Sequence, residues 1–197
     1  MYTIVGLGNP GKEYEQTRHN TGFLILEGVR KSWEFPEWKE EKKLRALVST
    51  ENHDGQKVTL LFPQTFMNKS GLSLKPIITN LKKAEKLAII HDDLDLPLGT
   101  IKIAFDRGSA GHRGVESIMR TIKTKAFLRL RVGVSGTNAK GEVKKPKGEK
   151  AVNDFILKNF SSKEDHEFNK LIRRADEILT TWVTEGRGKA TETANRK

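Results

Sequence analysis

The sequence predicts one α/β domain, and three observations point to it. Its 197 residues suit a single domain with ample length for a core. Two short apolar runs, Tyr2 to Leu7 and Leu87 to Ile90, read as buried strands, the second as a central strand of a parallel sheet. Helical apolar spacing follows other runs, most clearly in a C-terminal stripe that includes Leu171, Ala175, Ile178 and Trp182.

In chain order, the first strand breaks at Gly8, Asn9, Pro10 and Gly11, a turn cluster. A polar loop then leads to Arg18, His19 and Asn20, and Asn20 or Thr21 caps a helix running to about Trp33. Asn9 and His19 therefore fall on loop beside a strand end and a helix start, where open α/β sheets keep their working crevice. Gly6, Gly8 and Gly11 match the dinucleotide pattern G-x-G-x-x-G. However, Pro10 lacks an N–H, and Lys12 to Arg18 show no helical period that would aim amides at a pyrophosphate. The acid near the required spacing, Glu27, lies inside a helix pattern, so a nicotinamide cofactor is not expected.

Phe35 to Glu41 reads as polar loop, with Trp38 a packing residue. Lys43 to Thr50 and Lys57 to Phe62 read as strands joined by a hairpin turn, with His53 solvated at its tip. A loop from Pro63 to Gly71 precedes a helix from Leu72 to Leu81, which Pro76 kinks or delays. Phe66 and Met67 on that loop either plug the core or form a floor for an apolar group. Leu87 to Ile90 runs into His91, Asp92, Asp93 and Asp95. Three carboxylates at a strand end are a conceivable divalent-cation site. Their alternation points neighbours in opposite directions, which favours one carboxylate orienting a histidine over a metal.

Thr100 to Phe105 reads as a strand, Asp106 to Gly114 as a glycine-spaced loop able to approach a ligand, and Val115 to Lys123 as a helix. Phe127 to Val134 alternates, with Leu128, Leu130 and Val132 opposite Arg129 and Arg131. Residues 136–150 are lysine-rich and are expected to be a mobile basic loop over phosphates. A short helix from Val152 to Phe160 and a longer one, capped near Ser161 and ending near Glu185, complete a domain of residues 1–185. The polar tail 186–197 is expected to fray.

Lys plus Arg total 36 against 25 acids, a formal net charge of +11 that suggests a polyanionic partner, nucleic acid above all. Without cysteine there is no disulfide, thiol nucleophile or Cys-based zinc site. No apolar run approaches the ~20 residues of a membrane span, so a soluble, cytoplasmic protein is expected.

The Thr17-Arg18-His19-Asn20-Thr21-Gly22-Phe23 run, the loop from Thr65 to Gly71, the stretch from His91 to Gly99, and Gly111-His112 occur in an order and spacing that resemble the bacterial-type peptidyl-tRNA hydrolase family. The resemblance implies a mixed, mostly parallel twisted sheet flanked by helices, usually monomeric, with no metal or organic cofactor. It implies hydrolysis of the ester joining a peptide to the terminal ribose of tRNA. Residue by residue, it implies that His19 is catalytic and Asp92 orients it. Asn9 distinguishes N-blocked from free aminoacyl-tRNA, Asn68 holds substrate with Phe66 and Met67 beside it, and Tyr14 belongs to a tRNA site. Arg131 belongs to a clamp on the tRNA 5′-phosphate.

Three departures stand out. Arg113 replaces the asparagine that usually follows His112 in the substrate-binding loop. It is donor-only, so it loses a hydrogen-bond acceptor, and contact with tRNA phosphate is an alternative role for it. Ala104 stands where the clamp lysine is expected, with Lys102 or Arg107 to compensate. The lysine-rich loop lacks the family's usual His-Pro-Gly. A non-catalytic RNA-binding relative of the same fold is the alternative reading. Chemistry supports the enzyme independently. Ester hydrolysis near neutral pH needs a base such as histidine, and a carboxylate on one ring nitrogen fixes the tautomer and stabilises the imidazolium.

Overall fold

The computed structural model describes residues 1–196, apart from the side chains of Lys163, Asp165 and His166. Lys197, the end of the expected tail, lies outside the described residues. One eight-stranded mixed sheet forms the frame. Its strands are β1 (Tyr2–Gly6), β2 (Lys39–Glu41), β3 (Ala46–His53), β4 (Gln56–Pro63), β5 (Leu87–Pro97), β6 (Ile101–Phe105), β7 (Leu128–Thr137) and β8 (Val143–Lys144). The order is β2-β3-β4-β1-β5-β7-β6, with β8 paired to β7. β4, β1, β5 and β7 run parallel, whereas β2–β3, β3–β4, β6–β7 and β7–β8 are antiparallel.

The parallel strands are covered on both faces, which is why they read as continuous apolar runs. Against one face pack α1 (Thr21–Ser32), α5 (Ser162–Glu185) and α6 (Arg187–Asn195), burying Ile4, Leu26, Ile90, Leu130, Ala175 and Trp182 together. Against the other pack α3 (Arg113–Ile122) and a 3-10 segment, Met67–Ser73, burying Val5, Leu7, Ile89, Leu74, Ile118 and Phe127. The remaining helices, α2 (Leu81–Ala84) and α4 (Glu149–Ile156), are short.

Several elements differ from the sequence expectation. The expected Leu72–Leu81 helix is instead the 3-10 segment ending at Ser73, followed by turns and α2. Pro76 has no N–H to continue a helical ladder. The Leu87 strand does not turn at His91 but continues to Pro97, because β7 pairs with it as far as Asp93↔Gly133 and again at Pro97↔Ser135. Phe35–Glu41 contributes β2, and the basic 136–150 segment holds β8 and the start of α4. His53 is not solvated. Its ring stacks on Trp33 at 3.8 Å, and Nε2 lies 3.1 Å from the Thr180 hydroxyl. The tail is helical rather than frayed, with Ala190 in the main core and Thr193 buried. Two small side chains suffice for close packing where a polar composition suggested none.

The entry to α1 fixes the working end of the sheet. A Cβ at Gly22 would collide with the carbonyl of Ile90 and, at 2.5 Å, with the amide nitrogen of Leu7. Glycine thus lets α1 start directly over the ends of β1 and β5, with Phe23 N–H bonded to Leu7 O at 3.1 Å. The turn just before α1, a 3-10 turn Arg18–Asn20, therefore lies above the continuation of β5.

Candidate active site

The turn Arg18–Asn20 delivers a buried His19 to Asp92 on β5. His19 Nδ1 lies 3.0 and 3.1 Å from the two Asp92 oxygens. A second imidazole reaches the same carboxylate, His112 Nε2 at 3.0 Å from Oδ1. Burial alone would raise the Asp92 pKa, but the electrostatics of the His19 and His112 imidazoles and their hydrogen bonds outweigh it and hold the carboxyl well below its usual range. An ionised carboxylate only accepts, so both imidazoles donate to it.

His112 caps α3, and its Nδ1 accepts from the amides of Gly114 at 3.1 Å and Val115 at 3.3 Å. It is therefore the neutral Nε2–H tautomer, with neither nitrogen free. His19 donates from Nδ1, which leaves its Nε2 lone pair available on a residue lining a cleft. The tautomer of His112 also decides whether the cluster suits a metal. His19, Asp92 and His112 are close enough to hold an ion. Yet a metal on His112 Nε2 would force a proton onto Nδ1, against two backbone N–H donors, so the donor set does not fit one.

His91, next to Asp92, points elsewhere. Its Nδ1–H donates to the Asp92 carbonyl at 2.8 Å, and Nε2 is buried without a partner among the described residues. Burial first, then the electrostatics of the adjoining His112 ring and the charge of Arg129, push its pKa well below the ordinary value and keep it neutral. Both His91 and Asp92 thus have native pKa values beneath their unfolded ones. As pH falls below about 6.5 for His91, and then below about 4 for Asp92, the unfolded chain binds protons that the native state refuses. Native stability is therefore present above these values and lost on acidification. Urea midpoints should fall as pH drops below about 6.5; a flat profile across that range would contradict the assignment.

The cleft has a volume of about 840 Å³. It collects Asn9, His19, Phe66, Met67, Asn68, Asp92, His112 and Arg113 from the sequence expectation. Phe66 and Met67 divide the two roles considered for them. Met67 is buried in the floor, and Phe66 is 58% exposed at the rim. Asn9 Oδ1 accepts the Met67 amide at 2.8 Å, and the Asn9 backbone is locked to the Asn20 side chain at 2.8 and 2.9 Å. That use of Oδ1 orients the Asn9 amide and leaves its NH₂ as donor. Arg113 lines the cleft, but its guanidinium pairs with Glu149 at the start of α4, and Lys145 likewise pairs with Asp95.

Four expected residues lie outside the cleft. Tyr14 is half-buried, its carbonyl accepting from the Thr17 amide at 3.0 Å and hydroxyl at 2.8 Å. Arg131 and Arg107 line a second pocket, with Arg129 from β7 and Arg187 from α6. Lys102 is exposed opposite Arg131 in the β6–β7 register and does not line that pocket. Arg129 was not among the expected residues. It is 2% exposed, donates to the carbonyls of Arg107 and Gly108, and has one Nη without a partner among the described residues. Ala104 faces it across the sheet and leaves it room. Val152, Ile156 and Leu157, which wall the cleft, were also missed; their helical spacing was the available signal.

A buried imidazole–carboxylate pair at the carboxyl end of parallel strands, opening on a cleft, is an arrangement suited to general-base hydrolysis. The sequence model of the peptidyl-tRNA hydrolase family matches residues 3–197, and the chain belongs to that family. It is 35% identical over 186 residues to the peptidyl-tRNA hydrolase of Brevibacillus brevis, covering 94% of this chain and 93% of the relative. Against that of Carboxydothermus hydrogenoformans it is 37% identical over 197 residues, covering 100% and 99%. The crystal structure of peptidyl-tRNA hydrolase from Acinetobacter baumannii superimposes with a TM-score of 0.86 at 32% identity, covering 99% of this chain and 94% of that one. Among the described residues no helix is long and apolar enough to cross a membrane.

Proposed function

We propose that this protein hydrolyses the ester between a peptide and the terminal ribose of tRNA, with His19 as general base and Asp92 as its orienting carboxylate. The observation carrying this reading is the double donation to Asp92, which leaves His19 Nε2 as the unengaged imidazole nitrogen of the pair. Nε2 takes a proton from water as the water oxygen bonds to the ester carbonyl carbon. The imidazolium so formed is stabilised by Asp92. The tetrahedral intermediate then expels the ribose oxygen, which takes the proton back, releasing the peptide carboxylate and tRNA with a free hydroxyl. Asn68, exposed on the cleft rim, donates an N–H to the oxyanion or holds the water, a contribution of about 3 kcal/mol.

Asn9 supplies selectivity by the same logic. With Oδ1 committed to Met67, its free NH₂ is suited to a peptide carbonyl. A free α-ammonium in that place offers no acceptor and leaves the donor unpaired. Release of an N-acetylated amino acid from tRNA, with the unblocked aminoacyl-tRNA as control, tests the reading; equal rates on both would refute the selectivity, and no release on either the activity.

The arginine pocket is the proposed tRNA-phosphate site. Burial, and then the neighbouring charge of Arg131, pull the Arg129 guanidinium below its ordinary pKa. A buried cation held by carbonyls alone is suited to an anionic partner. Arg131 also donates to Asp93 at 2.6 Å, and Asp93 lines the cleft, so one ion pair joins the two sites. Arg131→Gln should weaken tRNA binding and reduce the slope of log affinity against log salt by about one; an unchanged slope would remove Arg131 from the interface. The chain is proposed to act as a monomer.

A further inference from the structure

One buried charged group near the site has no role in the chemistry above. Arg18 precedes His19 and is 9% exposed, yet its side chain leaves the cleft on the other side of the turn. It runs to the joint between α4 and α5. Nη2 makes a two-point contact with Glu164, at 2.9 and 3.0 Å. Nη1 donates to the carbonyl of Lys158 at 3.3 Å and to that of Asn159. The guanidinium carbon lies 4.8 Å from the Phe155 ring centroid and 4.9 Å from that of Phe160. The backbone joins the same contact, with Arg18 N–H on Lys158 O at 3.0 Å and Thr17 bridged to Asn159.

Glu164 is itself held in place. Its carboxylate accepts the Ser161 amide and hydroxyl, each at 2.7 Å. Burial opposes its ionisation, but these bonds and Arg18 outweigh it and lower its pKa. The grip is therefore charged at neutral pH. Meanwhile α4, whose Phe155 covers Arg18, presents Val152, Asn153 and Ile156 to the cleft. One short helix thus touches both the substrate space and the residue next to His19.

We infer that Arg18 is a positioning residue for the hydrolysis: it ties the turn carrying His19 to the α4–α5 joint and so sets the imidazole against Asp92 and the scissile carbonyl. The inference rests on the reading of His19 as the base. The physical reason is leverage. A 3-10 turn has few internal hydrogen bonds, and this one is held at Asn20 by Asn9 and at Arg18 by the joint. Releasing one end lets the ring between them rotate, while Asn9 and Met67 on the far side of the cleft, held to each other, stay in place.

The test measures Arg18→Lys, Glu164→Gln and the double variant on N-acetylated aminoacyl-tRNA, at a temperature where each is shown by its unfolding curve to be folded. Lysine keeps the charge but not the two-point geometry. Arg18→Lys should lower kcat roughly ten- to a hundredfold with KM unchanged. Glu164→Gln should lower kcat in the same direction, and the double variant should be no worse than Arg18→Lys alone, since both cut one link. In proton NMR the low-field His19 Nδ1–H signal, identified by its loss in His19→Ala, should shift or broaden in Glu164→Gln. Folded variants with wild-type kcat, a change in KM alone, additive losses or an unmoved signal would each overturn the proposal. Should Arg18→Lys not fold, Glu164→Gln and its NMR signal still decide. His19→Ala in the same assay keeps the two readings separate, because turnover retained there refutes the base rather than its support.

Discussion

His19→Ala should lower kcat for ester hydrolysis roughly 10²- to 10⁴-fold, with tRNA affinity unchanged. The loss falls on kcat because the imidazole moves a proton only as the transition state forms, whereas the tRNA is proposed to be held by Arg131 and its neighbours outside the cleft. Single-turnover release from N-acetylated aminoacyl-tRNA, with a separate binding titration, checks both halves. Neither remaining imidazole of the cluster can substitute. His112 has both nitrogens committed, and His91 is buried and neutral, its Nδ1 on a carbonyl. Turnover equal to wild type in this variant would remove His19 from the mechanism.

Asp92→Asn should be nearly as severe, on the order of 10⁴ in kcat by analogy with carboxylates that fix a catalytic tautomer. Here the direction follows from His112. An asparagine offers one acceptor and one donor group where aspartate offers two acceptors. His112 cannot switch tautomer, since the Gly114 and Val115 amides hold its Nδ1 as an acceptor. The asparagine oxygen therefore stays with His112, near the Oδ1 position 3.0 Å from His19 Nδ1, and its NH₂ takes the Oδ2 position, 3.1 Å from the same nitrogen. His19 Nδ1 then faces a donor and an already shared acceptor in place of two acceptors, so the Nε2–H tautomer, which has no lone pair toward the cleft, gains population, and the imidazolium loses its counter-charge. Removing that constraint with His112→Ala in the Asp92→Asn background should recover part of the activity, as the amide can then turn its oxygen to His19. A double variant no faster than Asp92→Asn alone would refute the tautomer account.

The parts of the site legible in the chain are those whose chemistry is carried by residue type at a strand end. Asn9, His19 and Asp92 fall beside breaks in apolar runs, and a loop histidine with a strand-end carboxylate is recognisable without coordinates. Met67 and Phe66 drew attention as apolar residues on a polar loop, but the choice between plug and floor needed the α3 side of the core against which Met67 packs. Arg129 looked like one more cation on the outward face of an alternating strand. Its burial depends on the 105–110 loop and on the small residue at Ala104 opposite it. The C-terminal helix was hidden for a similar reason, since Ala190 and Thr193 carry too little apolar surface to announce that they are buried.

The sequence by itself determined the α/β class and the parallel strands that read as unbroken apolar runs, because these follow from residue types at short range along the chain, while the order of its motifs carried the family and, through that resemblance, the pairing of His19 with Asp92. Tertiary structure alone decided which histidine keeps a free nitrogen, which arginine is buried without a carboxylate, and what grips the turn that carries His19. Those outcomes depend on hydrogen-bond partners dozens of residues apart. A side chain's protonation and orientation are set by the groups that fill its remaining donor and acceptor positions, and those groups meet only when the sheet closes.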